Sequence, residues 1–257
     1  MVKGRLPVTI DVLLLKCAHE FPAPATYVLV HGAWHGGWCW RFVADRLKAG
    51  GARVLAPTLT GLGERAHLLD KTVSLSTHIE DICRLIRAED LSGIVLVGHS
   101  YGGMVISGVA DRMPERIRTL VFLDGFVAAD GKAMSDYWPA ALKTEWDEKA
   151  AANGGLSIPP ISAESFGVHE HLRDWVNNHC VPHPYATFNE KIHLTGGRER
   201  VPNKVYIRAT KWRSHAFDAF LKEAQADKDW RTITLDCSHE VMVDAPQLLA
   251  DTLETVT

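Results

Sequence analysis

The sequence lacks the features that would point to a membrane or to nucleic acid. No stretch of the 257 residues reaches the roughly 20 consecutive apolar residues that a membrane-spanning helix needs. Charge of one sign is not in excess either, because the formal net charge is −3 and lysine and arginine are dispersed along the chain. We therefore expect no nucleic-acid partner and no anionic membrane surface, and a small, weakly charged partner fits better.

Paired cysteines and a clear secretion signal are also missing. The five cysteines are odd in number and include no C-x-x-C pair, which indicates reduced thiols in a cytoplasmic protein. Asp11 and Lys16 closely bracket the short apolar patch near the N-terminus, so the segment has no clean apolar core of a signal peptide. Residues 1–26 are interpreted as an N-terminal extension whose order the sequence does not define.

Apolar runs alternate with helical patterns along the rest of the chain. Strands are predicted at 27–30, 52–56, 93–97, 119–123, 204–208 and 230–235. Helices are predicted at 40–48, from a capping box at 77–80, through 104–109, at 216–226 and from about residue 244. This alternation predicts an α/β protein with a mostly parallel sheet that helices cover on both faces.

Residues 126–197 interrupt the alternation. The stretch holds prolines, short helical patterns and the tryptophans Trp138, Trp146 and Trp175. Its aromatic content argues against the alternative of a long disordered loop. We therefore predict one core, formed by residues 27–125 and 198–257, and an inserted helical lid over residues 126–197.

A glycine-rich turn follows the third predicted strand. The residues Gly98-His99-Ser100-Tyr101-Gly102 have the G-x-S-x-G pattern, which is weak alone but here lies between a strand and a helix. Glycines on either side let a sharp turn hold the serine in a strained backbone conformation. Such a turn lifts the hydroxyl above the sheet and aims backbone N–H groups of the helix at it, where they can bind an oxyanion. Ser100 is therefore the predicted nucleophile.

A second motif, VLVHGAWHGGWCW at residues 28–40, follows the first predicted strand. With the serine turn, it resembles the α/β-hydrolase superfamily over residues 27–257, and in particular the branch of small bacterial esterases, plant methylesterases and hydroxynitrile lyases. The resemblance implies the α/β-hydrolase fold. It also assigns the two oxyanion N–H groups to Ala33, which follows His-Gly, and to Tyr101, which follows the nucleophile.

A serine hydroxyl needs a histidine base, and that histidine needs an acid to orient it. In this fold the chain order is serine, acid, histidine, and the histidine follows the last strand. Among 13 histidines, His239 meets this rule and is the predicted base. His31 and His99 flank the two motifs and are expected to support the loops through hydrogen bonds.

The acid is ambiguous. Relatives commonly carry an aspartate just after the strand at 204–208, but this sequence reads Ala209-Thr210-Lys211-Trp212-Arg213 there. Asp124 is the favoured candidate, because certain dehalogenases of the superfamily take the acid from the neighbouring strand end. Asp218 and a triad without a strong acid remain alternatives. Asp124 would otherwise be a cap for the following turn.

Metal and cofactor sites are not expected. His179 with His183, or His169 with His171, could be metal ligands, but no second ligand pair with finger-like spacing accompanies them. The glycines at 61 and 63 lack the third glycine of a dinucleotide-binding fingerprint.

The predicted activity is hydrolysis of a small to medium hydrophobic aryl or alkyl ester through an acyl-enzyme, by a monomer or homodimer. Eight tryptophans suggest an apolar pocket, although core packing explains many of them equally well. Trp34, Trp138 and Trp212 are the predicted substrate-binding residues.

Two other functions remain open. Hydroxynitrile lyases of the same branch resemble the chain, but they place a lysine directly after the histidine, where this chain has Glu240. A carboxylate at that position is expected to repel cyanide. A non-catalytic small-molecule receptor is the third possibility, although binding alone does not need a strained serine turn.

Overall fold

A parallel sheet forms the centre of the molecule. The computed structural model describes residues 24–257, so most of the predicted extension over residues 1–26 lies outside the described residues. The described strands are β1 (Thr26–Val30), β2 (Arg53–Leu55), β3 (Ile94–His99), β4 (Ile117–Leu123), β5 (Ser157–Ile158), β6 (His183–Pro184), β7 (Asn203–Ala209) and β8 (Trp230–Leu235). Six of them form one sheet in the order β2-β1-β3-β4-β7-β8, with every neighbouring pair parallel.

Burial explains why this sheet is parallel and central. Every residue of β3 is buried, and so is every residue of β4 except Arg118. Strands that are apolar on both faces need helices on both sides, which is typical of parallel sheets. The predicted α/β class with a mostly parallel sheet is confirmed.

Helices connect the strands and cover the sheet. They are α1 (Arg41–Ala49), α2 (Leu75–Ala88), α3 (Gly102–Arg112), α4 (Ala140–Ala152), α5 (Glu170–His179), α6 (Ala186–Asn189), α7 (His215–Ala226), α8 (Val241–Asp244) and α9 (Pro246–Glu254). None of the helices in residues 24–257 is long and apolar enough to cross a membrane.

The start of α2 differs from the prediction. A capping box was expected to begin at Thr77, but Ser74 is the N-cap and Thr77 is the third helical residue. The Thr77 hydroxyl accepts a hydrogen bond from the Ser74 N–H at 3.2 Å. Threonine therefore replaces the acidic partner that the sequence pattern suggested, and the helix begins at Leu75.

The stretch between β4 and β7 contains α4, α5 and α6, as its helical patterns predict. It also contains β5 and β6, which pair antiparallel through Ile158 and His183. Sequence periodicity could not detect strands of two residues. Several side chains of this stretch line a cavity that also contains Ser100, so it covers the carboxyl edge of the sheet.

Helix α3 packs so closely on the chain after β4 that one of its glycines leaves no room for a side chain. A Cβ atom at Gly103 would overlap the carbonyl oxygen of Phe126 and lie 2.9 Å from the Phe126 nitrogen. At Gly50, in contrast, the atoms nearest to a Cβ would be the flexible Glu254 carboxylate at 3.0 Å and the carbonyl oxygens of Leu47 at 3.4 Å and Arg46 at 3.9 Å.

We expect Gly103→Ala to destabilise the fold by about 1–3 kcal/mol, because backbone must move to accept the methyl group. Gly50→Ala is the matched control and should change stability by less than about 1 kcal/mol. Urea unfolding midpoints of the two variants and the wild type measure the difference. Equal midpoints for the two variants would show that α3 can shift freely.

Candidate active site

Four loops of the candidate active site begin where strands of the main sheet end. Ala33 follows β1, Ser100 follows β3, Asp124 follows β4 and His239 follows β8. Because the carboxyl ends of parallel strands share one edge of the sheet, these loops meet there, as ligand sites of open α/β sheets commonly do.

Ser100 has a strained backbone. Its φ is 53°, in the left-handed region that residues other than glycine rarely adopt. The Ser100 N–H donates to the Leu123 carbonyl at 3.2 Å, and the Ser100 carbonyl accepts from the N–H groups of Gly103 at 3.0 Å and Phe126 at 3.1 Å. Hydrogen bonds on both sides of the residue therefore hold the turn, a situation that is typical of functional sites.

The two motif glycines are required by close packing of backbone. A Cβ at Gly98 would lie 2.6 Å from the Gly102 carbonyl oxygen. A Cβ at Gly102 would lie 2.8 Å from the carbonyl oxygens of Val30 and His31. Substitution of either glycine would push α3 away from the sheet and move Ser100 with it.

The two predicted oxyanion residues lie in the loop after β1 and at the start of α3. Ala33 and Ser100 line the same cavity. The Tyr101 side chain points away, and its hydroxyl donates to His78 Nδ1 at 2.9 Å, because His78 Nε2–H donates to the Thr60 carbonyl at 2.8 Å. Burial lowers the pKa of His78 to about 4, so this ring is neutral and fixes Tyr101 at the start of α3.

The His239 ring is bonded to Asp124. The distance from His239 Nδ1 to Asp124 Oδ2 is 2.6 Å, and both side chains are buried. Asp124 has a φ of 40°, and its N–H donates to the Ile207 carbonyl at 2.7 Å. The left-handed turn at the end of β4 therefore aims the carboxylate at the histidine.

Arg208 holds the other carboxylate oxygen of Asp124. Its Nη1 donates to Asp124 Oδ1 at 2.7 Å, and the Ala209 N–H donates to the same oxygen at 3.0 Å. Burial alone would lower the pKa of the Arg208 guanidinium, but the two neighbouring carboxylates of Asp124 and Asp218 raise it. The buried Asp124 carboxylate therefore has a permanent positive partner.

Asp218, the alternative acid, does not contact His239. Its carboxylate is 61% exposed and accepts from Arg208 Nε at 2.9 Å. Arg208 thus separates the two aspartates, with the buried one beside the histidine. Arg208 was not among the predicted site residues, although an arginine in the otherwise apolar end of β7 is a signal that a buried carboxylate lies nearby.

Aromatic rings enclose the His239 ring. Trp212 stacks on it with ring centroids 4.3 Å apart, and Phe217 and Phe166 lie at 5.7 and 5.3 Å. The loop after β7 therefore supplies an aromatic cover for the histidine. Among the hydrogen bonds of residues 24–257, none joins the Ser100 hydroxyl to His239, which is common without a bound substrate.

His31 and His99 support the loops, as expected from the sequence. His31 Nδ1–H donates to the Gly32 carbonyl at 2.8 Å, and Nε2 accepts from the Leu59 N–H at 3.1 Å. His99 Nε2–H donates to the His239 carbonyl at 3.0 Å. Burial lowers the pKa of His31 to about 3 and that of His99 well below its usual value, so both rings are neutral.

A cavity of about 790 Å³ opens above Ser100 and His239, and its wall contains Trp34, Trp138 and Trp212. Its size falls within the usual range for small-molecule sites. The remaining wall is mostly aromatic or aliphatic, with charged side chains at Asp136, Glu145, Lys149 and Arg213. The cavity suits an apolar molecule.

Glu240 forms a buried ion pair with His35. The distance from His35 Nε2 to Glu240 Oε2 is 3.5 Å, and the two side chains are 2% and 1% exposed. Burial alone would lower the pKa of His35, but the Glu240 carboxylate, the Cys180 sulfur and the Ala33 carbonyl together raise it to about 10. From the sequence, a carboxylate at this position was expected to repel cyanide, and that stays a prediction. In the structure Glu240 pairs with His35 and is not among the described residues that line the cavity.

The histidines considered as metal ligands have other partners. His179 Nδ1–H donates to the Trp175 carbonyl at 2.7 Å, and His183 is bonded through both ring nitrogens. In residues 24–257, the one group with ligand atoms within 4.8 Å of one another is His99, His239 and Glu240. Two of these three side chains already pair with Asp124 and His35.

Comparisons with known proteins agree with this architecture. Residues 27–252 match the model of the Alpha/beta hydrolase family. A carbendazim hydrolyzing esterase from Nocardioides sp. (strain SG-4G) is 47% identical over 238 residues, which are 89% of this chain and 98% of that protein. Methylesterase 10 from Arabidopsis thaliana is 35% identical over 147 residues, or 53% of this chain and 52% of that protein.

Solved structures show the same fold. An extracellular alpha/beta-hydrolase from a Paenibacillus species has a TM-score of 0.81 at 24% identity, covering 91% of this chain and 99% of that chain. A pyrethroid hydrolase from Sphingobium faniae JZ-2 has a TM-score of 0.64 at 22% identity, covering 90% of this chain and 96% of that chain.

The His35–Glu240 pair predicts a stability that depends on pH. The pKa of His35 is about 10 in the folded chain and 6.5 ordinarily, so the pair stabilises fully below pH 6.5 and its contribution is lost as pH rises toward 10. Glu240→Gln removes the carboxylate. We expect it to lower the melting temperature most below pH 6.5, and its difference from the wild type to shrink as pH rises.

Thermal unfolding followed by circular dichroism across this pH range measures the effect. Glu223→Gln, at an exposed position of α7, is the matched control. A difference between Glu240→Gln and the wild type that stays constant with pH would contradict a charged His35.

Proposed function

The chain belongs to the α/β hydrolase family, and we propose that it is a serine esterase that hydrolyses a small to medium hydrophobic ester through an acyl-enzyme on Ser100. Esterase activity in general is supported by the relatives. The observation that carries the serine mechanism is the 2.6 Å hydrogen bond between buried His239 and Asp124, at the cavity that Ser100 also lines.

The proposed reaction begins with attack of Ser100 Oγ on the ester carbonyl carbon. His239 Nε2 accepts the hydroxyl proton, and its Nδ1–H remains bonded to Asp124, which stabilises the imidazolium. The carbonyl oxygen becomes an oxyanion, and the N–H groups of Ala33 and Tyr101 bind it. The C–O bond to the alcohol then breaks, and His239 returns the proton to the leaving oxygen.

Deacylation repeats these steps with water. His239 removes a proton from a water molecule, whose oxygen attacks the acyl carbon, and the proton then returns to Ser100 Oγ. The products are a carboxylic acid and free enzyme. Arg208 Nη1 and the Ala209 N–H stay bonded to Asp124 throughout, so two fixed donors keep that carboxylate oriented.

The cavity favours a flat, apolar substrate. Trp34, Trp138 and Trp212 line it, and aromatic faces bind planar rings well. The relative that is 47% identical is named for hydrolysis of carbendazim, and others are methylesterases. We therefore include carbendazim and aryl methyl esters among the candidate substrates of this chain.

We expect a fluorophosphonate probe to label the wild type at Ser100 and not Ser100→Ala. The experiment combines this labelling with hydrolysis of p-nitrophenyl esters of increasing chain length, of aryl methyl esters and of carbendazim. Labelling with hydrolysis supports the proposal. Cyanide release from mandelonitrile without ester hydrolysis would indicate a lyase, and binding of these esters without labelling would indicate a receptor.

Asp124→Asn should lower kcat by about three to four orders of magnitude, because the amide no longer fixes the histidine tautomer or stabilises the imidazolium. Asp218→Asn is the matched control, since this exposed carboxylate contacts Arg208 and not His239, and it should change kcat by less than about threefold. Steady-state kinetics on the best ester measure both. Near wild-type turnover of Asp124→Asn would remove Asp124 from the mechanism.

A further inference from the structure

One peptide bond next to the cavity is clamped by two buried histidines. The Ala33 carbonyl accepts from His35 Nδ1–H at 2.7 Å. At the other end of the same peptide, the Trp34 N–H donates to His183 Nδ1 at 3.1 Å. Trp34 has a φ of 63°, which is unfavourable for a bulky side chain and needs support from its surroundings.

The hydrogen bonds of His183 define its tautomer. Because the Trp34 N–H is a donor, His183 Nδ1 must accept and the ring proton lies on Nε2. That Nε2–H donates to Thr187 Oγ1 at 2.8 Å, and the Thr187 hydroxyl donates to the Pro184 carbonyl at 2.7 Å. Burial, with neighbouring His78, lowers the pKa of His183 well below its usual value, so the ring is neutral.

The ring is also fixed in space. His183 lies parallel to Phe188, with centroids 4.3 Å apart and planes inclined by 8°. A second bond joins the same two segments, because the Val181 N–H donates to the Trp34 carbonyl at 3.0 Å. The segment of residues 181–188 therefore hydrogen-bonds to both the N–H and the carbonyl of Trp34.

His35 provides the opposite kind of contact. It carries a proton on both ring nitrogens, since Nδ1 donates to the Ala33 carbonyl and Nε2 faces the Glu240 carboxylate at 3.5 Å. One charged and one neutral histidine thus bind the two polar ends of one peptide unit. A donor and an acceptor placed in this way permit a single orientation of the peptide plane.

We propose that His183 is a positioning residue for the oxyanion hole, and that it makes the geometry at Ala33 depend on the segment between β4 and β7. The inference rests on the proposed esterase function. Fixing the Ala33–Trp34 peptide fixes the backbone of Ala33, whose N–H binds the oxyanion. Because that charge develops only in the transition state, loss of His183 lowers kcat and leaves KM nearly unchanged.

His183→Phe tests this role, because the ring can still stack on Phe188 but no longer accepts from Trp34. We expect kcat on the best ester to fall by about tenfold to a hundredfold. His183→Asn restores an acceptor oxygen at the position of Nδ1 and should recover most of that loss. His193→Phe is the matched control, since His193 has an 83% exposed side chain in the same segment.

A second variant tests the chain of hydrogen bonds without changing the histidine. Thr187→Val keeps the side-chain volume but removes the hydroxyl that accepts the His183 Nε2 proton. The ring proton of His183 is then no longer held on Nε2. We expect a fall in kcat of about threefold to tenfold with little change in KM. This variant decides the question by itself where His183→Phe does not fold.

Affinity for a trifluoromethyl ketone gives an independent readout. This inhibitor forms an oxyanion on Ser100, so its affinity should fall with kcat in His183→Phe, whereas affinity for an uncharged substrate-shaped amide should not. Equal losses for both inhibitors, or an unchanged kcat in the folded His183 and Thr187 variants, would overturn the inference. Failure of the proposed function is distinct, because the wild type itself would then hydrolyse no ester and take no label.

Discussion

The relative positions of the strand ends at the candidate active site depend on the buried carboxylate of Asp124. A charge with 0% exposure is tolerated only when its oxygens are paired and hydrogen-bonded. Here one oxygen accepts from His239, and the other accepts from Arg208 and the Ala209 N–H. These partners come from β7 and from the loop after β8, so pairing the carboxylate also fixes where three strand ends lie relative to one another.

Strand register makes this pairing possible. Leu123 of β4 lies opposite Ile207 of β7, so the next residues, Asp124 and Arg208, are neighbours at the sheet edge. An aspartate at the end of β4 therefore reaches the imidazole of His239, and Arg208 of β7 binds its second oxygen.

Local patterns were enough to predict the sheet and the serine turn, and they favoured Asp124 over Asp218 as the partner of the histidine without deciding between them. Apolar runs identify buried strands. The two glycines of the serine turn indicate that backbone segments pack too closely there to leave room for a Cβ. Asp124 could be favoured because adjacent strand ends lie close together in any parallel sheet. The contacts of Arg208 and the His35–Glu240 pair could not be predicted, because they depend on how long side chains are oriented in the folded chain. The pairing of β5 with β6 rests on two residues in each strand, too few for a periodic signal.

The groups that surround each buried histidine decide whether its ring is charged or neutral. His31, His78, His99 and His183 are buried beside carbonyl, N–H or hydroxyl groups, and burial lowers the pKa of each. His35 is equally buried but faces Glu240, and its pKa is raised to about 10. The spacing of these histidines in the sequence gives no sign of this difference. The partners of each ring decide whether it accepts a hydrogen bond or only donates.

In the proposed mechanism one histidine gains and loses a proton. A base must change protonation during each turnover, whereas the rings that hold its surroundings must not. Four supporting histidines are too deeply buried to gain a proton, and His35 is too strongly paired to lose one near neutral pH. His239 is buried as well, but Asp124 lies 2.6 Å from its Nδ1 and can stabilise the imidazolium. Of the buried histidines in residues 24–257, His239 is therefore the one that lines the cavity with Ser100, which suits it to the proposed proton transfer.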